Sequence, residues 1–498
     1  MGKKDGITNK TLPQSPHRNW GIYDKSMTNN PELEENIKKY EEAKKCGQSI
    51  YLDVDDLTDI AEFYHTKGEI AKALETVDYA LKLFPGATLP LCFKAREAIA
   101  ANDIATAETF ADRIEDKTDV EYKFLQAEIL ISKGKAPYAD IQMDGEYENT
   151  EEIEKDNFAI DTAIMFFDYG ENTIAEKWLK LCKNKKKAEY KELKSKLAAS
   201  SGRFEESEKL LNQLLDRNPF STDYWNQLAS SQFLNNDVAK SIESCDYALA
   251  IDENNADALL IKANALCALE NFDEAIKYYQ RYAALTPQSE IGEFFLGVCL
   301  SSQEKFNDAI PHLEAALMRC LPSSPNLSQL YKELAFCYSS TRNLEKAIGF
   351  VDKIESMPEN DKAEAACLRG MCYMANGDNI SAMAYFAKAI SASRPEQLPQ
   401  ICIDVAASSI DNKNPELART ILYKLFYIDG MEYLTDGWGY YALACFQLKE
   451  YAEFMTALKN VCERNAVEAR QTLGWLFPDG LPVEDYISYS ETMLNNKT

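Results

Sequence analysis

The sequence predicts an all-α protein built as a solenoid of stacked helix-turn-helix repeats. One short pattern returns about every 34 residues along the chain. Each period holds two stretches whose apolar residues share one face of a helix. The composition agrees, because 20 Gly and 17 Pro in 498 residues are too few for a turn-rich all-β protein or a collagen-like chain.

The repeat is marked by a small residue that follows a Gly or polar turn residue by five positions. Ten copies carry it, at Ala73, Ala107, Ala175, Ser207, Ser241, Ala275, Ala309, Ala347, Ala382 and Ala418. Their turn residues are Gly68, Asn102, Gly170, Gly202, Asn236, Glu270, Glu304, Arg342, Gly377 and Lys413. The gap of 68 residues between Ala107 and Ala175 equals two periods and holds a weak copy near Ala127.

Each period predicts two helices with a tight turn between them. The first helix is represented by Trp225, Leu228 and Ala229, whose spacing places them on one face. The second is represented by Ala275 and Tyr279, one turn apart. Small residues recur where the two helices must approach closely: Ala229, Ala263, Gly297, Ala335 and Gly370.

These residues resemble the tetratricopeptide repeat, in which a large apolar residue, Leu, Gly or Ala, Tyr, Ala, Phe, Ala and Pro stand at fixed offsets. We count about twelve units over residues 54–465, and the unit near 120 is degenerate. The units begin near residues 54, 88, 120, 156, 188, 222, 256, 290, 328, 363, 399 and 435. The resemblance implies a right-handed superhelix whose concave face is lined by positions 2, 5, 9, 12 and 13 of each first helix.

The same resemblance gives a candidate peptide-binding groove that is mainly apolar. Its residues are Asn226, Phe233, Leu234, Leu260, Asn264, Ile291, Phe294, Val298, Met371 and Met374. Such a surface suits an apolar helix or an extended segment, with the two asparagines bonding its backbone. The alternative is that the solenoid buries some of these residues against its own neighbours or against a terminal arm.

The rest of the chain frames the array. We expect a polar, disordered arm at 1–29, a capping helix and linker at 30–53, and capping helices at 466–498. Residues 135–156 are expected to form an acidic insertion, either a loop or a frayed helix. Whether 473–489 is a cap or a partner site stays open.

Charge and cysteine content restrict the partners and the compartment. The chain has 54 basic and 80 acidic residues, a net charge of −26, which disfavours nucleic acid and acidic membranes as partners. There is no apolar signal segment and no CxxC pair among 13 cysteines. We therefore expect free, mostly buried thiols and a cytoplasmic location.

The sequence shows no recognisable catalytic or cofactor-binding motif. There is no GxxxxGK[ST] loop and no metal-ligand spacing, so we predict no cofactor and no metal. The run from Gly437 to Ala442 fits GxGxxA but opens a repeat helix instead of following a strand. With three histidines, His17, His65 and His312, no catalytic residue is assigned. A lysine-rich run from Lys183 to Lys196 is either a solvated face or a partner for acidic segments, including the chain's own 144–156.

The sequence therefore predicts a protein-protein interaction scaffold or adaptor that binds a protein or peptide and has no catalytic activity. The alternative is a self-associating structural protein, with homo-oligomers as the consequence. The third alternative is an enzyme that uses the solenoid as its body.

Overall fold

The computed structural model describes residues 31–46, 49–358, 360–428 and 430–495. Within these ranges every regular element is helical and no residue lies in a strand. The arm expected at 1–29 lies outside the described residues. The described chain falls into two compact units, 31–251 and 252–495, called here the N-terminal and C-terminal units.

The N-terminal unit opens with α1 (Pro31–Lys45) and continues as six helix pairs. Its pairs are α2 (Val54–Thr66) with α3 (Ile70–Leu83), α4 (Thr88–Ala100) with α5 (Ile104–Arg113), α6 (Val120–Ser132) with α7 (Ala136–Asn149), α8 (Lys155–Asp168) with α9 (Asn172–Leu181), α10 (Ala188–Ser200) with α11 (Phe204–Leu215), and α12 (Thr222–Leu234) with α13 (Val238–Ile251).

The C-terminal unit holds six further pairs and a closing segment. Its pairs are α14 (Ala256–Ala268) with α15 (Phe272–Leu285), α16 (Ile291–Ser302) with α17 (Phe306–Arg319), α18 (Leu327–Ser340) with α19 (Leu344–Glu355), α20 (Lys362–Ala375) with α21 (Asn379–Ala392), α22 (Leu398–Asp411) with α23 (Pro415–Tyr423), and α24 (Trp438–Gln447) with α25 (Tyr451–Arg464). A π-helical turn (Lys424–Ile428) extends α23. The closing segment is α26 (Ala466–Leu473), two short 3₁₀ turns, Gly474–Leu476 and Val483–Asp485, and α27 (Tyr486–Asn495).

The twelve pairs confirm the predicted all-α repeat solenoid. Each first helix begins within three residues of the start that the sequence predicts. The two helices of a pair join through a residue with a left-handed backbone, and such a residue occurs in every pair. These residues are Gly68, Asn102, Gly134, Gly170, Gly202, Asn236, Glu270, Glu304, Arg342, Gly377, Lys413 and Lys449.

Small residues allow the two helices of a pair to touch, as predicted. A Cβ atom added to Gly297 would lie 2.6 Å from Leu313, and one added to Gly370 would lie 2.5 Å from Phe386. The predicted small position of the second helix, for example Ala382, is fully buried. The core of each pair is therefore built at the contact between its first and second helix.

The stretch at 135–156 is not an insertion, which corrects the sequence-based expectation. Its residues 136–149 form α7, the second helix of the third pair. Ala139 and Met143 face the core and are fully buried. The acids lie on the outer side, where Lys177 pairs with both Asp140 and Asp144 at 2.9 and 2.8 Å. A lysine from the next repeat thus stabilises an acidic helix, which the local sequence alone had suggested to be a loop or a frayed helix.

The closing segment packs on the last pair. Asn465 caps α26, because its side-chain oxygen accepts a hydrogen bond from the Glu468 backbone N–H at 3.0 Å. Leu473 is fully buried, and the Phe477 ring stacks on Tyr486 with centroids 3.8 Å apart. In contrast, Trp475 is 67% exposed. The segment therefore covers the apolar end of the last pair while leaving one large aromatic side chain in solvent.

Candidate functional site

The first helices of the N-terminal unit carry charged residues at the position expected to line the groove. Position nine of the first three pairs is occupied by Glu62, Arg96 and Glu128. Arg96 and Glu128 contact each other directly across two repeats. Position nine of α4 is therefore in direct contact with position nine of α6.

Arg96 is the centre of a buried ion cluster. Its Nε donates to both carboxylate oxygens of Glu128, at 3.1 and 3.0 Å, and its Nη2 donates to Glu121 Oε2 at 3.1 Å and Glu128 Oε1 at 2.9 Å. All three side chains are about nine-tenths buried. Two carboxylates share one guanidinium, so the cluster carries an excess of one negative charge.

Two further carboxylates flank this cluster. Glu62 stands on α2 and Asp161 on α8, and both are partly buried. Burial, and then the negative charge of Asp59, raises the pKa of Glu62 to about 8. Burial, and then the charge of Glu121, raises the pKa of Asp161 to about 7. We call Glu62, Arg96, Glu121, Glu128 and Asp161 the charged row.

Position nine of the C-terminal unit is apolar apart from its first member. Its residues are Asn264, Val298, Phe336, Met371, Ala407 and Leu443. Position nine is therefore charged in the first three pairs of the N-terminal unit and mainly apolar in the C-terminal unit.

The structure places the ten predicted groove residues in both units. Three lie on α12 of the N-terminal unit and seven on α14, α16 and α20 of the C-terminal unit. Seven are buried: Asn226, Phe233, Leu260, Asn264, Phe294, Val298 and Met374. Only Leu234, Ile291 and Met371 present a partly exposed side chain. The groove proposal is therefore restricted to a smaller accessible surface than the sequence suggested.

Two of these residues have other contacts that account for their burial. The Asn264 side-chain oxygen accepts a hydrogen bond from the Tyr279 hydroxyl at 2.6 Å, so this amide binds within its own pair. Met374 is 2% exposed and belongs to the core cluster that contains Cys367 and Phe386. The role of Asn264 in bonding a peptide backbone stays a prediction, and one acceptor position of its side-chain oxygen is used within its own pair.

Sequence reasoning missed the charged row, although a signal was present. The same register that gives Asn264 and Val298 places Glu62, Arg96 and Glu128 at position nine of the units near 54, 88 and 120. Applying the register to the first three units would have identified these residues. The sequence alone could not show that the arginine and both glutamates are buried together.

One group of possible metal ligands is present in the described chain. The ligand atoms of Cys445, Glu450 and Glu453 lie within 4.8 Å of one another. Arg419 already pairs with both glutamates, at 2.5 Å to Glu450 and 2.9 Å to Glu453. Because the guanidinium supplies the positive charge, we assign these residues to the packing of α23 on α25.

The GxGxxA run has an internal partner. Gly437 is the N-cap of α24, and the backbone N–H groups of Gly437 and Gly439 donate to Glu468 Oε1 at 3.0 and 3.1 Å. The helix N-terminus is thus occupied by a carboxylate from α26. The run therefore helps to pack the closing segment against α24, in agreement with its interpretation as the start of a repeat helix.

The lysine-rich run contacts the acidic stretch that precedes it. The backbone N–H groups of Lys183 and Asn184 donate to Asp156 at 2.7 and 2.9 Å. The Lys183 side chain pairs with Glu152. This run therefore contacts the residues at the start of α8, the first helix of the pair that it follows.

The fold defines the class of the protein: an all-α helical repeat solenoid. Models of the tetratricopeptide repeat match residues 193–256, 232–292 and 363–395. These parts of the chain are therefore similar to tetratricopeptide repeats.

Several solved structures are similar in part. A crystal structure of MamA protein is 22% identical, with a TM-score of 0.31, and the match covers 36% of this chain and 94% of that one. YrrB, described as a TPR protein with an unusual peptide-binding site, is 19% identical, with a TM-score of 0.32 and coverages of 38% and 94%. A tetratricopeptide repeat protein from Parabacteroides merdae is 17% identical, with a TM-score of 0.40 and coverages of 48% and 91%.

No curated protein sequence matches the chain significantly. Among the described residues, no helix has both the length and the apolar character needed to cross a bilayer.

Proposed function

We propose that this protein is an adaptor that holds a protein or peptide segment along the exposed side of its first helices and carries out no catalysis of its own. The continuity of position nine across repeats supports the proposal most strongly. Arg96 and Glu128 occupy the same position in neighbouring pairs and hydrogen-bond to each other, so position nine of α4 is in direct contact with position nine of α6.

Only the solvent-accessible side chains of the first helices are available to a partner. In the N-terminal unit they include Ser230 and Lys196, which are both partly exposed at position nine. In the C-terminal unit Met371 is partly exposed at position nine, and Ile291 is partly exposed at position two of its unit. Partly exposed apolar and polar side chains on a rigid helical frame suit an extended segment that bonds through its backbone and side chains.

Site-specific photo-crosslinking tests the proposal. Benzoylphenylalanine is introduced singly at Ser230 and Met371 on the first helices, and at Glu243 and Lys388 on the second helices as matched outer controls. Lysate of the source cells is irradiated with each full-length variant. We expect a discrete crosslinked protein from the inner positions that is absent from the outer ones.

Equal capture at the inner and outer positions, or capture at the outer ones alone, would refute the groove as the binding surface. The design avoids substitutions at Leu260 and Phe294, which are 1% and 3% exposed, because a polar residue there would disrupt packing. Circular dichroism of every variant confirms that the helices remain folded.

Self-association is a second candidate function, favoured by one exposed stripe on α21. Ile380 is 87% exposed and Met383 is 51% exposed, one helical turn apart on the outer side of a second helix. Exposed apolar stripes on helices are common association surfaces. Light scattering over a concentration series distinguishes the two functions, because self-association makes the molar mass rise with concentration.

We also propose the reducing, cytoplasmic location predicted from composition. All thirteen cysteines are free thiols, and ten of them are buried. Buried free thiols are compatible with a compartment that does not form disulfides.

A further inference from the structure

Two buried thiols are in contact where the first two pairs of the C-terminal unit meet. Cys267 stands on α14 and Cys299 on α16, and their sulfur atoms lie 3.4 Å apart. Both are free thiols, and the two residues are 5% and 0% exposed. Two reduced cysteines, 32 residues apart in the sequence, are therefore held together across neighbouring repeats.

The packing of three helices fixes the position of this thiol pair. Tyr279 of α15 is fully buried, and its ring stacks on Phe295 of α16 with centroids 5.6 Å apart. The Tyr279 hydroxyl donates a hydrogen bond to Asn264 of α14 at 2.6 Å. One side chain of α15 therefore contacts both of the first helices on which the cysteines stand.

The separation of the two sulfur atoms is close to that of a disulfide. An S–S bond is about 2.0 Å long, so the atoms have to approach by about 1.4 Å, which is the difference from 3.4 Å. Side-chain rotation and a small shift of α14 against α16 are enough for a movement of this size. Each thiol also has a second thiol beside it to complete a disulfide, as redox-sensitive cysteines do.

We propose that Cys267 and Cys299 form a disulfide when the protein meets hydrogen peroxide, and that this bond staples α14 to α16. The inference goes beyond the proposed function, because it requires no partner. Asn264 and Val298 of the predicted groove lie three residues and one residue away along the same two helices. The staple therefore restrains the spacing of two repeats next to predicted groove residues.

The reaction consumes one peroxide for each pair of thiols. One cysteine attacks as its thiolate: an S–O bond forms, the O–O bond breaks, and hydroxide leaves and takes up the thiol proton as water. The second thiol then attacks the sulfenic acid sulfur, so that the S–S bond forms, the S–O bond breaks and a second water leaves. The two sulfurs together lose two electrons, and the peroxide gains them.

The closed structure slows the first of these steps. The contact with Cys267, and then burial, raise the pKa of the Cys299 thiol. Since the thiolate is the reactive form, peroxide reacts when this region opens locally. The exposed Cys46 of the N-terminal unit should therefore be oxidised first. The pair stays reduced during brief exposure and forms its bond during sustained exposure.

Mass spectrometry of the full chain tests the proposal. The protein is incubated with hydrogen peroxide over a time series, the remaining thiols are alkylated after denaturation, and the chain is digested with trypsin without reduction. Cleavage at Lys277 and Arg281 places the two cysteines on different peptides. We expect a linked peptide pair, lighter than the separate peptides by two hydrogen atoms, that appears after Cys46 has reacted and separates with dithiothreitol.

Matched variants show whether the contact causes the link. Cys299→Ala should abolish the linked peptide. Cys372→Ala removes a thiol of similar burial from the same repeat position on α20 and should keep it. Circular dichroism checks the folding of both variants. The linked peptide of the wild type is decisive by itself if either variant fails to fold.

Hydrogen exchange measures the staple. Amides of α14 and α16 should exchange about 10-fold more slowly, or slower still, in the oxidised chain, because the bond opposes local opening. Amides of α22, which lies three pairs further along, should not change and serve as the internal control.

The proposal is overturned if Cys46 is fully oxidised while Cys267 and Cys299 are recovered as free thiols or as separate sulfinic or sulfonic acids. Loss of the link in Cys372→Ala as well would assign it to general loosening of the repeats. Unchanged exchange in α14 and α16 of the linked chain would show that the bond does not restrain the two repeats.

Discussion

At the residue scale, one left-handed residue in each repeat sets the geometry of the fold. All ten turn residues identified from the sequence have a positive φ, and the structure adds Gly134 and Lys449. Seven of the twelve are not glycine and have φ near 60°. A residue with a Cβ atom is strained in this conformation, so the helix packing on both sides must hold it there. The turn positions could be predicted because they depend on local sequence.

The same substitution should have opposite effects at two glycines of the N-terminal unit. Gly202 has φ +73° and Gly145 lies inside α7, and an added Cβ would contact nothing within 4 Å at either. Gly202→Ala should lower the free energy of unfolding by about 1 kcal/mol through backbone strain alone. Gly145→Ala should raise it by about 1 kcal/mol, because alanine is the better helix former. Urea unfolding of the full chain measures both, and a loss at Gly145 would contradict the reasoning.

At the element scale, the apolar pattern of the sequence predicts the helix pairs correctly. It misjudges a helix whose stabilising partners lie far away in the sequence. The apolar spacing of Ala139 and Met143 is a helical signal, but both residues are flanked by acids that suggested a loop. Lys177, from the following pair, neutralises those acids. Such contacts across 33 to 37 residues cannot be read from a local window. The helix pair is therefore predictable from its apolar face, while its stabilisation depends on a neighbour.

Helix approach inside a pair should be sensitive to a single methyl group. At Gly370, an added Cβ would lie 2.5 Å from the Phe386 ring and 3.2 Å from the Ala382 carbonyl oxygen. Gly370→Ala should therefore force α20 and α21 apart and lower the free energy of unfolding by about 1–3 kcal/mol. Gly349→Ala on α19, where the added atom meets open space, is the matched control and should stabilise. Thermal unfolding compares them, and equal midpoints would show that the close approach is not required.

At the scale of the whole molecule, the sequence predicted a mainly apolar groove, and the structure places charged residues at position nine of the first three pairs. The predicted residues such as Val298 and Met371 describe the C-terminal unit, where position nine is apolar. The N-terminal unit places Glu62, Arg96 and Glu128 at the same position. The repeat pattern predicts which residues stand at position nine. It does not predict the raised pKa of Glu62, because that pKa depends on burial and on charges from α2, α4 and α6.

The charged row also contributes to the pH dependence of folding. The folded pKa of Glu62, about 8, and that of Asp161, about 7, exceed their ordinary values of 4.5 and 3.8. Between about pH 4 and 8 the folded state therefore holds more protons than the unfolded state, and the free energy of unfolding falls as the pH rises. Glu468 of the C-terminal unit, whose pKa burial raises to about 7, contributes with the same sign.

Urea unfolding followed by circular dichroism between pH 5 and pH 8.5 checks this dependence. The wild type should lose stability steadily across the range. Glu62→Gln with Asp161→Asn should flatten most of the loss and be the more stable protein at pH 8, because neither neutral side chain has to ionise in a buried, acidic surrounding. Asp112→Asn with Glu243→Gln, at exposed positions of the same unit, should keep the slope of the wild type. A double variant at the row that retained the full slope would mean that these carboxyls ionise freely in the folded protein.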